Sequence, residues 1–420
     1  MTISPLLKTL ACEAESVASC ITDTLAEPPL PDFAAGDYGP HSTRWHAQSL
    51  SKGAAGVSIL HGVRAQTGHG GWEPVHTWLR RATADTLNNS TGAGLWFGTP
   101  AVTHALTTAA PHAHPAALDP LDRAVADLAE RRLAAAEVRL AARQRPSLSE
   151  FDLVRGLTGL GAHLLTRQPD GALLRRVLQY LVRLTEPLDT NDDIGRHAPG
   201  WWSADAANPD QPVPGGHANF GMAHGITGPL ALLALAMRHT IIVPGHTEAI
   251  GRISTWLDTW RQADPAGPWW PEKVTAVDLH AGRPTAIGPA RPSWCYGTPG
   301  IARAQQLAGI ALGDPARQQT AEDALTRCLA DPVQLGRIID PSLCHGWAGL
   351  AATLWYAAAD ARSTALSAHV PRILRLLIQH ANDPTPERSG LTAGHAGVAL
   401  TLHTFATCTH VRWATSLLIN

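Results

Sequence analysis

Apolar residues along the chain fall into two kinds of run, and the two kinds alternate. In the first kind most residues are apolar or small, as in 229–237, 301–310 and 350–359. In the second kind apolar residues recur every three or four positions, as in 173–184 and 247–261. The first pattern predicts helices that are buried on all sides, and the second predicts helices that are buried on one face. Alternating β-branched residues are scarce, so the chain is predicted to be all-α.

A short glycine signature of the form Gly-x-x-Gly precedes the all-apolar runs. One such motif means little, because glycines at a helix start often serve only a tight turn. Seven copies occur in this chain, one of them degraded to Gly98-Thr99-Pro100-Ala101. Repetition on this scale indicates a repeat architecture in which each unit is a pair of helices. The first glycines of copies one to seven are Gly53, Gly98, Gly156, Gly225, Gly297, Gly346 and Gly394.

Each buried helix needs an amphipathic helix to cover it, and two arrangements of the pairs meet this need. One is an open α-solenoid, and the other is an α/α toroid of seven inner and seven outer helices. The central copies carry polar residues that need a shared cavity, which favours closure. We therefore predict an α/α toroid built as a single domain over residues 1–420.

The copies are unevenly spaced, and the two longest intervals predict insertions within 166–218 and 262–292. Tryptophans cluster in the same intervals, where they either line a cleft for a peptide or fill the core. They are Trp201, Trp202, Trp269, Trp270 and Trp294.

The formal net charge of −2 gives no indication of a nucleic-acid or acidic-membrane partner. The first apolar stretch is interrupted by charged residues and no run of about 18 apolar residues occurs, so we expect neither a signal peptide nor a membrane span, and a cytoplasmic location. Six cysteines in 420 residues do not form a disulfide framework. Four of them are expected to be small buried side chains: Cys12, Cys20, Cys328 and Cys408.

When the copies are aligned on their first glycines, residues that bind metals or protons fall near one position. Each lies one to four residues before the first glycine of copies three to six, in the loop that enters a predicted inner helix. Such loops meet at one mouth of a toroid. The residues are Asp152, His224, Cys295, Cys344 and His345.

Cys295, Cys344 and His345 are predicted to bind one zinc ion per chain. Their spacing matches no zinc finger, but copies five and six are expected to be neighbours. Two thiolates and one imidazole suit zinc, and three protein ligands leave the fourth tetrahedral position open, as in catalytic sites. The two thiolates already cancel the charge of the ion, so a bound substrate thiolate would stay nucleophilic. The predicted role of the metal is therefore to activate a thiol.

Four further residues are candidates for proton transfer or for stabilising an oxyanion. Asp152 and His224 suggest a proton-handling pair, although Asp152 also suits a helix cap and His224 a buried structural histidine. Arg291 lies four residues before Cys295 and suits either an enolate oxygen or solvent. Tyr296 either donates a hydrogen bond or packs.

These segments resemble the lanthionine synthetase C-like family, and the resemblance covers essentially the whole chain. The two most specific segments are those around Cys295 and Cys344; the departure at Ala101 affects no position that the family uses for chemistry. The segments are Phe151-Asp152-Leu153, Gly221-Met222-Ala223-His224-Gly225, Ser293-Trp294-Cys295-Tyr296-Gly297-Thr298-Pro299-Gly300 and Leu343-Cys344-His345-Gly346.

The resemblance implies an α/α toroid with zinc held by Cys295, Cys344 and His345. Some members of the family carry a small inserted subdomain, which the intervals at 166–218 and 262–292 could hold. It implies proton handling by His224 and Asp152, with Arg291 and Tyr296 in the active site. No dehydratase region accompanies these segments, so the chain resembles the stand-alone bacterial lanthipeptide cyclases, which belong to the lyases that form carbon–sulfur bonds. The implied partners are a dehydrated precursor peptide with its leader, a dehydratase and an exporter.

The implied reaction is an intramolecular Michael-type addition of a Cys thiol to dehydroalanine or dehydrobutyrine, with the α-carbon protonated through His224. It would produce lanthionine or methyllanthionine rings of an antibiotic peptide. Three alternatives remain. A relative could add glutathione or another separate thiol to dehydrated residues, or the chain could be a zinc-stabilised binding scaffold without catalysis. A toroid glycosidase is the weakest alternative, because only Asp152 is available as a catalytic acid.

Overall fold

The structure, a computed structural model, describes residues 5–28, 43–112, 115–188, 190, 194, 198–205, 210–265, 267–381, 389–409 and 411–420. Helices dominate these residues and are numbered α1 to α17 in chain order. Seven of them each follow one glycine copy and are called signature helices: α2 (Ala54–Gln66), α4 (Thr99–Ala109), α7 (Leu157–Arg167), α9 (Thr227–Arg238), α12 (Thr298–Leu312), α15 (Trp347–Ala359) and α17 (His395–Thr407).

Seven further helices alternate with the signature helices and are called covering helices. They are α1 (Pro5–Thr24), α3 (Trp72–Ala82), α5 (Pro115–Ala141), α8 (Ala172–Leu184), α10 (His246–Trp260), α13 (Pro315–Ala330) and α16 (Val370–His380). Three short helices complete the described set: α6 (Leu148–Phe151), α11 (Ala276–Ala281) and α14 (Pro332–Leu335).

The burial of the two classes follows the two apolar patterns of the sequence. In α9 every residue from Thr227 to Ala236 is buried, so this helix has no solvent-facing side. In α16 the buried residues recur at the spacing of a single helix face, and they are Val370, Ile373, Leu374 and Leu377. The all-α prediction is confirmed.

One compact unit comprises Ala126–Ile338, Ala357–Leu366 and Thr415–Asn420. Within it α7, α9 and α12 pack side by side, while α8 packs against α7, α10 against α9 and α13 against α12. Copies three, four and five are therefore neighbours in chain order, each with its covering helix.

The other compact unit comprises Met1–Val125, Ile339–Tyr356 and Ser367–Ala414. Within it α2 packs against both α4 and α17, so the signature helix of the last copy lies beside that of the first. The N-terminal helix α1 covers α17, and α3 covers α2. The pairing of the first copy with the last is expected of a closed array and not of an open solenoid. That the whole chain is a single domain stays a prediction.

The second glycine of the signature is needed because another backbone segment lies where its side chain would be. A Cβ at Gly300 would overlap the carbonyl oxygen of Trp294, and a Cβ at Gly397 would overlap that of Leu391. In both cases the carbonyl lies six residues earlier, in the loop that enters the helix. The signature thus lets each loop fold back tightly on the first turn of its helix.

The strands of the described residues are short and lie in or beside the two long intervals. They are β1 (His217–Asn219), β2 (Gln262–Asp264), β3 (Gly267–Trp269) and β4 (Lys273–Thr275). β1 pairs with β4 and β2 with β3, both antiparallel, so the end of the first interval is joined to the second. Residues 189, 191–193, 195–197, 206–209 and 266 of these intervals lie outside the described residues.

The tryptophans and cysteines test the predictions made for the core. Each of the five interval tryptophans is at most 5% exposed, so they fill the core. Cys328 is buried as predicted, and burial raises the pKa of its thiol. The same prediction is wrong for Cys12, Cys20 and Cys408, which are exposed. Among the described residues, no helix has both the length and the apolar character needed to cross a bilayer.

Candidate metal centre and active site

Backbone hydrogen bonds join the loops that enter α7, α9 and α12. The amide of Leu153 donates to the carbonyl of Ala223 at 3.1 Å, and the amide of Met222 donates to the carbonyl of Cys295 at 2.9 Å. Because these bonds involve the main chain, they do not depend on the side-chain chemistry of the residues that form them. The loops that bear Asp152, His224 and Cys295 are thus fastened together.

Asp152 and His224 form the pair that the sequence predicts. Oδ2 of Asp152 lies 2.7 Å from Nδ1 of His224. Oδ1 of the same carboxylate accepts hydrogen bonds from the amides of Arg155 and Gly156, at 2.6 and 2.8 Å. Asp152 is therefore both an acceptor for two amides of the loop that enters α7 and a histidine partner; the N-cap of α7 is Gly156. The carboxylate is 2% exposed and the imidazole 30%, so Nε2 is the histidine nitrogen that is available to a ligand.

A half-buried cation lies within electrostatic range of this pair. Arg132, on α5, donates to the carbonyl of Ser149 at 3.4 Å. Burial lowers the pKa of Arg132 to about 10, while the negative charge of Asp152 acts in the opposite direction. The guanidinium is still charged at neutral pH, so a positive charge lies within electrostatic range of Asp152.

Cys295 and Tyr296 lie at the entrance to α12, and the loop that holds them is tightly bonded. The hydroxyl of Ser293 accepts a hydrogen bond from the amide of Tyr296 at 3.1 Å and lies 3.7 Å from Sγ of Cys295. Oη of Tyr296 accepts a hydrogen bond from Nδ2 of Asn219 at 3.0 Å. Burial raises the pKa of the Tyr296 phenol. Cys295 itself is buried, at 7% exposure.

Cys344 and His345 lie at the entrance to α15. The amide of Cys344 donates to the carbonyl of Thr392 at 2.9 Å, in the loop of the next copy. Nε2 of His345 lies 3.5 Å from Oδ2 of Asp340. Oδ1 of Asp340 accepts from the amide of Ser342 at 2.8 Å, which fixes the carboxylate. A carboxylate on one imidazole nitrogen orients the other nitrogen toward a metal.

The structure brings the three predicted ligands together. The ligand atoms of Cys295, Cys344 and His345 all lie within 4.8 Å of one another. Two thiols and one imidazole at this separation are compatible with one tetrahedral ion, with one position left for another ligand. The arrangement could therefore hold a metal, and the donor set fits zinc.

Two of the neighbours that hold this site, Asn219 and Asp340, were not singled out from the sequence. Both lie six residues before the first glycine of their copy, and Arg291 occupies the same register position in the copy between them. Aligning the copies on their first glycines and inspecting the position six residues earlier would have identified Asn219 and Asp340. Arg291 is half-buried in the loop that enters α12.

Comparison with known proteins gives three matches. The family model described as lanthionine synthetase C-like protein matches residues 44–418. The nisin biosynthesis protein NisC of Lactococcus lactis subsp. lactis is 24% identical over 206 residues, which are 48% of this chain and 47% of that protein. The matched region thus spans about half the length of this relative.

The third match is structural. The solved structure of a nisin cyclase superposes with a TM-score of 0.75 at 18% identity, covering 89% of this chain and 93% of that one. That protein has the α/α toroid fold, so the predicted fold class is confirmed. Because the family model spans nearly all of the sequence, this chain belongs to the lanthionine synthetase C-like family.

Proposed function

We propose that this protein is a zinc-dependent lanthipeptide cyclase that closes thioether rings in a dehydrated precursor peptide. The observation that carries the proposal is the convergence of the ligand atoms of Cys295, Cys344 and His345 within 4.8 Å. Membership of the lanthionine synthetase C-like family supports the same conclusion. So does the similarity to NisC, a protein of nisin biosynthesis.

Cys295, Cys344 and His345 would hold the ion, with Asp340 orienting the imidazole of His345. Zinc bound there would act as a Lewis acid that lowers the pKa of a substrate thiol. The three protein ligands leave room for that thiol as the fourth. Asp340 keeps the ring of His345 in one orientation, which preserves the geometry of the site between turnovers.

The pair of Asp152 and His224 would move the proton. With Nδ1 of His224 bonded to Asp152, the exposed Nε2 is free to take the thiol proton and to return it to the α-carbon. In the complete reaction the S–H bond breaks, a bond forms between sulfur and the β-carbon, and the α-carbon gains a proton. The atoms of the peptide are conserved, so no co-reactant is required.

Negative charge develops on the carbonyl oxygen of the dehydrated residue as sulfur adds. Arg291 and Tyr296, in the loop that also carries Cys295, are the groups we assign to this oxygen. A preorganised donor at such an oxygen typically contributes 10²–10³-fold in rate. The substrate would be a leader-bearing peptide already processed by a partner dehydratase, with an exporter acting on the product in the cytoplasm.

The experiment is to incubate the purified protein with zinc and a dehydrated, leader-bearing peptide from its own gene neighbourhood, and to count free thiols by alkylation and mass spectrometry. Ring closure conserves mass, so the expected result is loss of alkylation sites at constant peptide mass. The Cys344→Ala variant is the control and should leave the thiols free. Unchanged thiols with zinc bound would overturn the proposal.

Addition of a separate thiol is the alternative that the same metal site permits. A parallel reaction that contains glutathione distinguishes the two activities. Transfer of glutathione adds its mass to the peptide and leaves the peptide's own cysteines free. That outcome would replace the cyclase assignment with a thiol transferase.

A further inference from the structure

Asn219 is a buried polar residue next to the candidate active site. It is the last residue of β1 and is 3% exposed. Its carbonyl accepts a hydrogen bond from the amide of Ile226 at 2.9 Å, across the loop that carries His224. The side chain of Asn219 is therefore held where that loop begins.

The orientation of the Asn219 amide is fixed by its neighbours. Oδ1 accepts a hydrogen bond from the backbone amide of Gly221 at 2.8 Å. A backbone N–H can only donate, so the atom that faces it must be the oxygen. The nitrogen then faces Oη of Tyr296, 3.0 Å away, and donates to it.

The ring of Tyr296 is held against the same loop. A Cβ at position 221 would lie 2.6 Å from Cε1 of the ring, so Gly221 is what allows the ring to lie this close. The amide of Tyr296 is bonded to the hydroxyl of Ser293 at 3.1 Å. Both ends of the tyrosine are thus fixed, and its hydroxyl has one hydrogen to place.

We infer that Asn219 is a positioning residue that makes Tyr296 a hydrogen-bond donor to the substrate. A phenol oxygen that already accepts from an amide N–H directs its own hydrogen elsewhere. The group that needs a donor is the carbonyl oxygen of the dehydrated residue, which becomes an enolate oxygen as sulfur adds. This inference rests on the proposed function and assigns the direction of one hydrogen bond within it.

The test variant is Asn219→Asp, which is nearly isosteric. One carboxylate oxygen can still accept from Gly221, while the other replaces the NH₂ group and accepts the hydrogen of Tyr296. The tyrosine would then donate to residue 219 and not to the substrate. We expect kcat to fall about 100-fold, with KM nearly unchanged, because the donor acts in the transition state.

A matched control comes from Asn88, whose Oδ1 accepts from the amide of Ser90 at 2.8 Å in the same type of turn. Asn88→Asp should keep the wild-type kcat. In a Tyr296→Phe background Asn219→Asp should cause no further loss, because the hydroxyl through which it acts is absent. An equal loss in both backgrounds, or a wild-type kcat for Asn219→Asp, would overturn the inference.

A spectroscopic measurement separates this inference from the proposed function. The Raman doublet of tyrosine reports whether a phenol mainly accepts or mainly donates, and the chain has only 4 tyrosines. Subtracting the spectrum of Tyr296→Phe from that of the wild type isolates Tyr296, which should show the acceptor signature. The same subtraction in the Asn219→Asp background should show the donor signature. In spectra taken without the peptide, a donor signature in the wild type would overturn the inference, whatever the activity. If the Raman result holds but the wild type consumes no thiols, the proposed function fails and the catalytic part of the inference fails with it.

If Asn219→Asp does not fold, Asn219→Ser replaces it. A serine hydroxyl can accept from the amide of Gly221 as asparagine does, but it is too short to reach Tyr296. The acceptor signature should then disappear from the Raman difference, and kcat should fall about 10-fold, roughly one net hydrogen bond. Retention of both wild-type values would contradict the inference.

Discussion

Oδ2 of Asp152 lies 2.7 Å from Nδ1 of His224, and the other oxygen of that carboxylate is held by two backbone amides. The carboxylate is therefore fixed before the histidine binds to it. A fixed acceptor on Nδ1 places the proton of the neutral imidazole there and leaves Nε2 as a base. The sequence offered a helix N-cap and a pair with His224 as alternatives for Asp152. The pair forms, whereas the N-cap of α7 is Gly156, and the second oxygen of Asp152 bonds the loop before that helix.

Asp152→Asn should lower the rate of thiol consumption about 10²–10⁴-fold. Its amide oxygen would still accept from the two backbone amides, so its NH₂ group would face Nδ1 of His224. The neutral imidazole would then carry its proton on Nε2 and could not take one from a thiol. The measurement is the initial rate of thiol loss with the dehydrated peptide.

The matched control is Asp314→Asn. Oδ1 of Asp314, the N-cap of α13, accepts from the amides of Ala316 and Arg317, at 3.1 and 3.0 Å, so this carboxylate also bonds two backbone amides but does not serve as a histidine partner in the site. This variant should retain the wild-type rate. Combining Asp152→Asn with His224→Asn should cost no more than His224→Asn alone. Full activity of Asp152→Asn would remove the pair from the mechanism.

The repeat register predicted much of the fold, because each copy packs its loop against its helix in the same way. It also placed Asp152 with His224, and the two cysteines with His345, at one end of the helices. The second glycine is required where the carbonyl oxygen of the entering loop contacts the first turn of the helix. The signature therefore marks both the start of the helix and the loop before it. The register does not say which side chains of different copies touch. The bond between Asn219 and Tyr296 joins residues 77 apart in sequence, and no periodicity encodes it.

The wrong prediction for Cys12 and Cys20 has a physical reason that was available in the sequence. The buried stripe of α1 runs through Leu10, Ala14, Ala18 and Ile21, and neither cysteine lies on it. Treating cysteine as a small apolar residue ignored its place on the helix. Side-chain chemistry is therefore a weaker guide to burial than helical phase.

Cys344→Ala should abolish stoichiometric zinc binding. The variant leaves one thiol and one imidazole as protein ligands, which is fewer than catalytic zinc sites use. Zinc content per chain after dialysis, measured by atomic spectroscopy, is the readout. Cys12→Ala removes an exposed thiol from α1 and should keep the wild-type content. Full zinc occupancy in Cys344→Ala would exclude Cys344 as a ligand.

Asp340→Asn should weaken zinc binding about 10–100-fold without removing a ligand. The amide can still accept from the amide of Ser342, but it no longer presents a negative charge to Nε2 of His345. Competition with a chromophoric chelator gives the dissociation constant. An unchanged constant would show that the 3.5 Å approach of Asp340 to His345 has no influence on the metal.

His217 should make the protein sensitive to acid. It is 1% exposed, and burial together with the charge of Lys273 lowers its pKa to about 4. In the unfolded chain the pKa returns to about 6.5, so the unfolded state binds the proton first as the pH falls. The stabilisation from neutral His217 is fully present above about pH 6.5 and is lost as the pH falls to 4. The total loss of unfolding free energy is about 3 kcal/mol.

His217→Gln should therefore lose less stability than the wild type between pH 7 and pH 4, by about 3 kcal/mol. The free energy of unfolding from urea titrations at a series of pH values measures the difference. Parallel losses in the two proteins would mean that another group, not His217, binds the proton on unfolding.

Gly300→Ala should destabilise the fold about 2 kcal/mol, since its Cβ would overlap the carbonyl oxygen of Trp294. That oxygen belongs to the backbone of the loop that holds Cys295, so neither partner can move without displacing the loop. The zinc affinity should fall with the stability, which links the repeat signature to the site. Urea titration at pH 7 and the chelator competition give the two quantities.

Gly251→Ala is the matched control, because position 251 lies inside α10 with no neighbouring atom within 4 Å of the added Cβ. There alanine should stabilise the protein about 0.5–1 kcal/mol, since it restricts the unfolded chain and favours the helix. The two glycines should thus respond to the same substitution with opposite signs. If Gly300→Ala were as stable as Gly251→Ala, the second glycine of the signature would not be needed for close packing, and the repeat would require another physical explanation.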